Sequence, residues 1–410
     1  MQINKRKIIN DPVYGFITIP DELIFDIIEH PYFQRLRRIK QLGLTHLVYP
    51  GALHTRFHHA LGAMHLMIEA IDLLRLKGNP ITEDEAKSAM IAVLLHDIGH
   101  GPFSHSLENS IVKDMRHEDM SEVFMNVINK QFGNRLTDAI SIYNGIYPKK
   151  FLHQLVSGQL DVDRLDYLKR DSFFTGVSEG VISTDRIIKM MNVCNDSLVI
   201  EDKGIYSIEK FIVARRLMYW QVYFHKTVLS AENLLIKILD RANFLTRSGK
   251  VIFATPALRF FLLNTFTKND FIDDNYAVEN FAMLDDDDIN TSIKVWINND
   301  DPILSFLSNS LINRHLFKIE MSNSPFDEDY IRLIKSKVSR TFNIDSEDTS
   351  YFVISGYIEN NAYNPRVDKI NILYRGGEIK DISEAFEQIN VSVLLETQKK
   401  FYLCYPKSIK

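Results

Sequence analysis

The sequence predicts a mainly α fold, with a helical domain over residues 1–250 and a smaller mixed α/β region over residues 251–410. Two observations carry this. Apolar residues recur at helical spacing through most of the first 250 positions, while stretches rich in β-branched and aromatic residues appear only near the end. A content of 45% hydrophobic and 25% charged residues is that of a globular chain, and 410 residues allow two or three domains with a core of useful size.

Residues 21–30 and 32–40 read as short amphipathic helices separated by Pro31. Residues 56–77 read as a longer helix, with Leu61, Met64, His65, Ile68, Ile71 and Leu74 on helical spacing, stopped by Gly78 and Pro80. Thr82 and Glu85 form a capping-box pattern. The helix it opens places Ala86, Ala89, Met90, Val93 and Leu94 on one face and runs into His96 and Asp97. Further helices are predicted over 118–132, 150–156 and 184–193, and one long helix over 208–245. The acidic run Asp285–Asp288 reads as a solvated loop. Strands are expected over 351–358, 369–374 and 401–405, with a helix over 383–388 between two of them.

Composition narrows the function classes. A net charge of −5 argues against a general nucleic-acid binder but leaves room for a local basic pocket. Two cysteines, Cys194 and Cys404, form no disulfide framework and lack metal-ligand spacing, which fits a reducing compartment. The opening MQINKRKIINDP has no apolar stretch after its basic residues, and no segment approaches the ~20 apolar residues needed to cross a bilayer. A cytoplasmic protein without membrane association is the expectation.

Four pieces carry chemistry: R-F-H-H at Arg56–His59, H-D at His96–Asp97, H-E at His117–Glu118, and D-V-D-R-L-D-Y-L-K-R-D at Asp161–Asp171. Imidazole nitrogen together with carboxylate oxygen suits a divalent metal. His96 and Asp97 end an apolar helix, where burying two adjacent polar groups needs compensation that a metal would supply. His59 and Asp163 complete a four-ligand set with positions left for water and phosphate. A single H-D dipeptide is weak evidence, and His65 alone reads as an ordinary hydrogen-bonded histidine. The combination H…HD…D with H-D-I-G-H-G-P-F-S-H is far more specific.

These motifs resemble the HD-domain superfamily of metal-dependent phosphohydrolases, and within it the deoxynucleoside triphosphate triphosphohydrolases. The likeness begins at N-D-P-V-Y-G (Asn10–Gly15), passes through F-Q-R-L-R-R-I-K-Q-L-G (Phe33–Gly43) and the motifs above, and reaches Tyr223–Lys226. After about Leu245 only the general character matches. The resemblance implies one divalent ion per subunit (Mn, Fe, Ni, Co, Zn or Mg) on His59, His96, Asp97 and Asp163. It implies His105 as the acid that protonates the leaving nucleoside, oriented by Glu108, which stands where an animal member of the family has Asp. His100 and His117 would line the phosphate pocket, while His58 receives no role.

The same resemblance assigns Arg56, Arg164 and Arg215 to the phosphates, with Arg164 replacing a lysine. Tyr219, Tyr223, His225 and Lys226 strengthen the match at Arg215. Gln41, Tyr167 and Asp171 would recognise the sugar, and Leu42 would crowd its 2′ position and favour deoxyribose. Lys7, Ile8, Gln34 and Arg37 match parts of a regulatory nucleotide site, where Glu29 replaces a guanine-reading Asp; a plain solvated helix face is the competing reading for Gln34 and Arg37. A nucleotide substrate and a homo-oligomer, dimer or tetramer, follow as expectations. Two other readings stand beside this one. One is an HD phosphoesterase acting on monophosphates or cyclic nucleotides, against which His100 in place of a lysine and the lack of G-Y-P count. The other is a nucleotide-sensing protein without turnover, against which the complete ligand set counts.

Overall fold

The computed structural model describes residues 7–103, 112, 115–273, 275–366, 368–385 and 396–409. The chain is mainly α, as the helical spacing implies. At its centre lies the Arg56–Leu76 helix, which buries most of its surface, including Phe57, Leu61, Met64, Leu66, Met67 and Ile71. A stripe through Glu69, Asp72 and Leu76 stays exposed, and neighbours must cover the rest. The Glu83–Leu95 and Val162–Thr175 helices pack along it. Those two elements and the central helix carry the H-D, D-V-D-R and R-F-H-H motifs, so the packing of the core brings the motifs together.

Local signals set the ends of these helices. Thr82 accepts from the Glu85 amide at 3.2 Å while Glu85 accepts from the Thr82 amide at 2.8 Å, the reciprocal capping box read from sequence. Asp161 accepts from the Arg164 amide at 2.7 Å and so starts the Val162–Thr175 helix one residue before Asp163.

Several elements differ from expectation. The 32–40 segment is one turn, Pro31–Gln34, followed by a 3₁₀ turn, Arg35–Arg38. The helix expected over 184–193 ends at Met190, because Met191–Cys194 (β3) pairs antiparallel with Ser197–Glu201 (β4). The long 208–245 helix is two helices, Ile205–Met218 and Lys226–Arg247. A π-helical turn at Tyr219–Tyr223 separates them, and His225 leaves the helical path to cap the second through the Thr227 amide.

The acidic run is a helix start, not a solvated loop. Asp285 caps the Asp286–Trp296 helix and pairs with Arg38, and Asp285 and Asp286 are both buried. Helix N-termini favour negative charge, which a count of like charges in sequence misses.

Beyond residue 250, helices continue through Pro302–Ile312 before the chain turns to strands. Lys318–Ser322 (β5), Ile354–Asn360 (β6) and Gln398–Tyr405 (β9) form an antiparallel sheet in the order β5-β9-β6. Asn371–Leu373 (β7) and Ile379–Asp381 (β8) join the sheet of β3 and β4, with β4 and β7 parallel, so the two halves of the chain share hydrogen bonds. The helix expected over 383–388 begins at Ile382 and runs to Ala385; residues 386–388 lie outside the described residues. Among the described residues no helix is long and apolar enough to cross a membrane.

Removing the reciprocal cap should weaken the H-D helix. Thr82→Ala is expected to lower global stability by about 1 kcal/mol, read as a shifted urea midpoint at unchanged slope.

Candidate active site

The ligand set read from sequence meets in one place. His59, on the central helix, faces His96 with 3.4 Å between their Nε2 atoms. Asp163 Oδ1 lies 3.0 Å from His59 Nε2 and 3.4 Å from His96 Nε2. Asp97 stands beside them, with Oδ1 3.4 Å from His96 Nε2 and Oδ2 3.8 Å from His59 Nε2.

The far side of each ring fixes what faces inward. His96 Nδ1 lies 2.6 Å from the Val93 carbonyl, which only accepts, so Nδ1 carries the proton. His59 Nδ1 donates in the same way to Asp166 Oδ2 at 2.7 Å. In its neutral form each ring would therefore direct an Nε2 lone pair towards the other and towards carboxylate oxygens. That donor set repels itself unless a cation or added proton lies between, and two nitrogens with two carboxylates suit a divalent metal.

The titration shifts express the same demand for positive charge. Burial pushes His59 down, yet the carboxylates of Asp163 and Asp166 outweigh it and raise the ring to about 10. His96 is likewise raised, with Asp97 and Asp163 overcoming its burial. Burial opposes ionisation of Asp163 and Asp97, but His96 and the other neighbouring cationic groups hold both carboxyls well below the usual range.

Behind the ligands runs a buried network that sequence reading missed. Arg170 Nε donates to Asp166 Oδ2 at 2.9 Å, its Nη2 to Asp166 Oδ1 at 3.0 Å and its Nη1 to Asp11 Oδ2 at 2.8 Å. All three side chains are almost wholly buried. Gly62 makes room for them, since a Cβ there would lie 2.0 Å from Asp166 Oδ1 and 2.2 Å from Arg170 Nη2. The four-residue spacing of Asp166 and Arg170 was the available signal. Asp11 carried no signal, because its partner lies 159 positions away.

A second donor group, Asp97, His100 and His117, adjoins the first. His100 Nε2 lies 3.4 Å from Asp97 Oδ1, and its ring stacks on His117 with centroids 3.8 Å apart. Burial, reinforced by the Arg56 charge, pushes His100 far down, so its ring is neutral. Arg56 itself pairs with Asp97 Oδ2. Gly99 lets this loop press against the His117 helix, where a Cβ would lie 2.2 Å from the Ser121 amide.

The residues expected to hold phosphates and sugar lie along the next layer. Arg164 pairs with Asp161. Arg215 donates to Gln159 Oε1 at 3.3 Å and to the Ala362 carbonyl at 3.2 Å. Asp171 accepts from Tyr223 at 2.8 Å and contacts His54 Nε2 at 2.7 Å, and His54 stacks on Phe174. His54 is another residue missed from sequence; its only signal was its place two residues before Arg56.

Tyr167 and Tyr219 pack against Tyr223 at 6.2 and 5.0 Å. Gln41 joins the His54 carbonyl through its amide, and its Oε1 is buried without a partner. Leu42 is half-buried against the core. His105 and Glu108 lie outside the described residues.

The four residues expected to be regulatory make their described contacts with residues other than the ligands. Lys7 lies over the Phe25 ring and Ile8 is exposed on the Ile8–Asp11 strand (β1). Arg37 bonds Gln34 Oε1 at 2.8 Å and lies over Phe57 at 3.5 Å, and Glu29 is exposed.

A helical core that brings His59, His96 and Asp163 together, with Asp97 adjoining, forms a candidate His/Asp metal site. Comparison with known proteins supplies the family. Residues 56–171 match the HD domain and residues 182–244 the HD associated region. The chain is 34% identical to the uncharacterized protein YwfO of Bacillus subtilis over 100% of this chain and 94% of that one. It is 36% identical to the deoxynucleoside triphosphate triphosphohydrolase SAMHD1 homolog of Dictyostelium discoideum over 58% of this chain, and spans 49% of that relative. The crystal structure of a phosphohydrolase from Bacteroides thetaiotaomicron superposes with a TM-score of 0.95 at 54% identity, covering 98% of this chain and 99% of that one. The chain belongs to the HD-domain phosphohydrolases, whose HD domains bind divalent metals.

The Arg170 network gives a direct expectation. Arg170→Met leaves Asp11 and Asp166 buried without their cation, at a cost of about 3–5 kcal/mol. Burial alone would raise the Asp166 carboxyl, but Arg170 and His59 hold it at about 2, so its stabilisation is present above the ordinary carboxylate range and is lost as pH falls through about 2. Urea unfolding of wild type from pH 7 to pH 2 should show that acid loss, and Arg170→Met should show a smaller one. A variant as stable as wild type at pH 7 would remove the network from the account.

Proposed function

We propose that this phosphohydrolase converts deoxynucleoside triphosphates to deoxynucleoside and tripolyphosphate, with one divalent ion on His59, His96, Asp97 and Asp163. The observation that carries the reading is the convergence of these four donors beside Arg56 and His100, together with a tyrosine cluster in which Tyr223 reaches Asp171. The triphosphohydrolase name of the Dictyostelium relative supports the substrate class, although this chain spans only about half of that protein.

The bound ion would polarise a phosphate oxygen and make water more acidic. The chain's own groups do the rest. Arg215, whose described partners are both neutral oxygens, offers its charge to the phosphate chain, alongside Arg56 and Arg164. Neutral His100, with His117 stacked on it, offers a hydrogen bond to phosphate. Gln41 Oε1, buried and unpartnered, is an acceptor for a sugar hydroxyl, with Asp171 and Tyr167 beside the sugar and Leu42 crowding its 2′ position. Tyr219 and Tyr223 wall the pocket.

In the reaction, the water oxygen bonds to the α-phosphorus as the bond to the 5′-oxygen breaks. His105, oriented by Glu108, gives its proton to that oxygen. Lys7, Ile8, Gln34 and Arg37 form a separate regulatory nucleotide surface in a dimer or tetramer under this reading.

The deciding experiment incubates the protein with dNTPs, NTPs and monophosphates in several divalent metals and identifies products. Tripolyphosphate released from dNTPs is expected; orthophosphate or pyrophosphate instead would sink the reaction type. Asp97→Ala or Asp163→Ala should lose bound metal and activity while keeping the wild-type circular dichroism, and full metal occupancy in both would refute the ligand set.

For His105→Ala, metal and substrate binding should persist while turnover on dNTPs falls by ~100- to 10,000-fold. The loss should shrink on a p-nitrophenyl phosphodiester, whose leaving group needs no proton. Glu108→Gln should show a smaller version of the same contrast. An equal loss on both substrates would move the acid role to His117.

A further inference from the structure

The H-D loop and the segment leading into the central helix are tied together by a carboxylate from a distant part of the chain. Asp286 Oδ1 accepts from the Phe103 amide at 2.8 Å, and its Oδ2 accepts from the Lys40 amide at 3.0 Å. Asp286 is almost wholly buried, and the Lys40 ammonium lies 3.6 Å from Oδ2.

Each amide belongs to a segment that carries metal-site residues or pairs with one that does. Phe103 closes the stretch that begins with His96 and Asp97. Lys40 sits in a segment that pairs with the start of the central helix: the Arg56 amide donates to the Ile39 carbonyl at 3.0 Å, and the Gln41 amide to the His54 carbonyl at 3.0 Å. His59 follows one turn later. One carboxylate thus spans the two stretches of chain that bring His59 and His96–Asp97 to the same point.

Helix capping does not account for this side chain. Asp285 already caps the Asp286–Trp296 helix through the Asp287 amide at 2.9 Å, and Asp288 closes the box on the Asp285 amide at 2.9 Å. The Asp286 carboxylate instead reaches two amides outside its own helix.

A second contact runs parallel to it. Buried Arg35 donates from Nη1 to the Ile98 carbonyl at 3.0 Å and from Nη2 to the Leu284 carbonyl at 3.3 Å. It grips the residue after Asp97 and the approach to Asp286 together.

Phe103 also needs holding. Its φ of 53° lies in the left-handed region, and it is a buried aromatic residue. Such a conformation in a bulky residue persists only where surrounding contacts enforce it.

We propose that Asp286, supported by Arg35, is a positioning residue that sets the separation of the H-D loop from His59 and so the geometry of the metal site. This rests on the metal-centre reading above for its consequence, but the clamp itself can be tested without metal. Asp286→Asn keeps the shape while leaving one acceptor oxygen for two amides. Asp288→Asn is the control, since it weakens the same helix cap without reaching either segment.

Amide hydrogen exchange on the metal-free protein should rise at least ~10-fold at Phe103 or Lys40 in Asp286→Asn and stay at the wild-type rate in Asp288→Asn. Titration with Mn(II) alone should show affinity falling by ~10- to 100-fold in Asp286→Asn only, the range typical when a group supporting a ligand is lost. Wild-type exchange in Asp286→Asn, or equal losses in both variants, would overturn the proposal. A wild-type protein that takes up no divalent ion would remove the metal-centre reading, and the exchange comparison would then judge the clamp alone.

Discussion

The hydrogen bond from His59 Nδ1 to Asp166 constrains the rest of the site. It fixes which nitrogen of His59 faces inward, and it does so from a position nearly inaccessible to water. A buried carboxylate in that role needs a cation behind it, and Arg170 supplies one. Arg170 in turn needs a further anion, which Asp11 provides from the first strand of the chain. Glycine at position 62 follows from the same chain of requirements, because any larger residue would occupy the space of the Asp166–Arg170 pair. The hairpin that β1 forms with Gly15–Thr18 (β2), the central helix and the Val162–Thr175 helix are thus joined by charge as well as by apolar packing. Displacing one of these groups would reach the inward-facing nitrogen through at most three contacts.

Much of this was legible because it is local. Helical spacing and the Thr82–Glu85 box act within a few turns of chain, and each corresponds to an observed element; the H…HD…D residues lie far apart in sequence and were legible through the pattern's resemblance to a known family. What stayed hidden depends on partners distant in sequence. Asp11 acquires its partner across 159 positions, and Asp286 reaches Phe103 across 183. The acidic run at 285–288 was misread for the same reason: four adjacent carboxyls suggest solvent until Arg38 and the Lys40 and Phe103 amides are placed around them. The helix expected over 184–193 failed differently. Met191–Cys194 has helical neighbours in sequence, but a strand partner at Ser197–Glu201 offers its backbone a full ladder.

The charge pattern separates two kinds of arginine. Arg170 is buried between two carboxylates, so its charge is largely answered within the fold. Arg215 meets neutral oxygens from Gln159 and Ala362, and its Nε is buried without a partner. The Arg215 side chain is half-buried, and a carbonyl of the C-terminal region, that of Ala362, orients it beside helices that carry the earlier motifs.

The break at Tyr219–Tyr223 belongs to the same argument. In one uninterrupted helix, Arg215, Tyr219 and Tyr223 would follow one another at four-residue spacing along one stripe. The π turn changes that register in its middle, and such turns frequently mark functional sites. In the structure the Arg215 guanidinium lies 5.8 Å from the Tyr219 ring, Tyr219 packs edge-on against Tyr223, and Tyr223 reaches Asp171 with its hydroxyl. A single stretch therefore presents a cation at one end and a hydroxyl bound to a carboxylate at the other, with aromatic walls between. The helix gives up regular hydrogen bonding over one turn, and the resulting register aligns these chemically different groups along one stretch of chain.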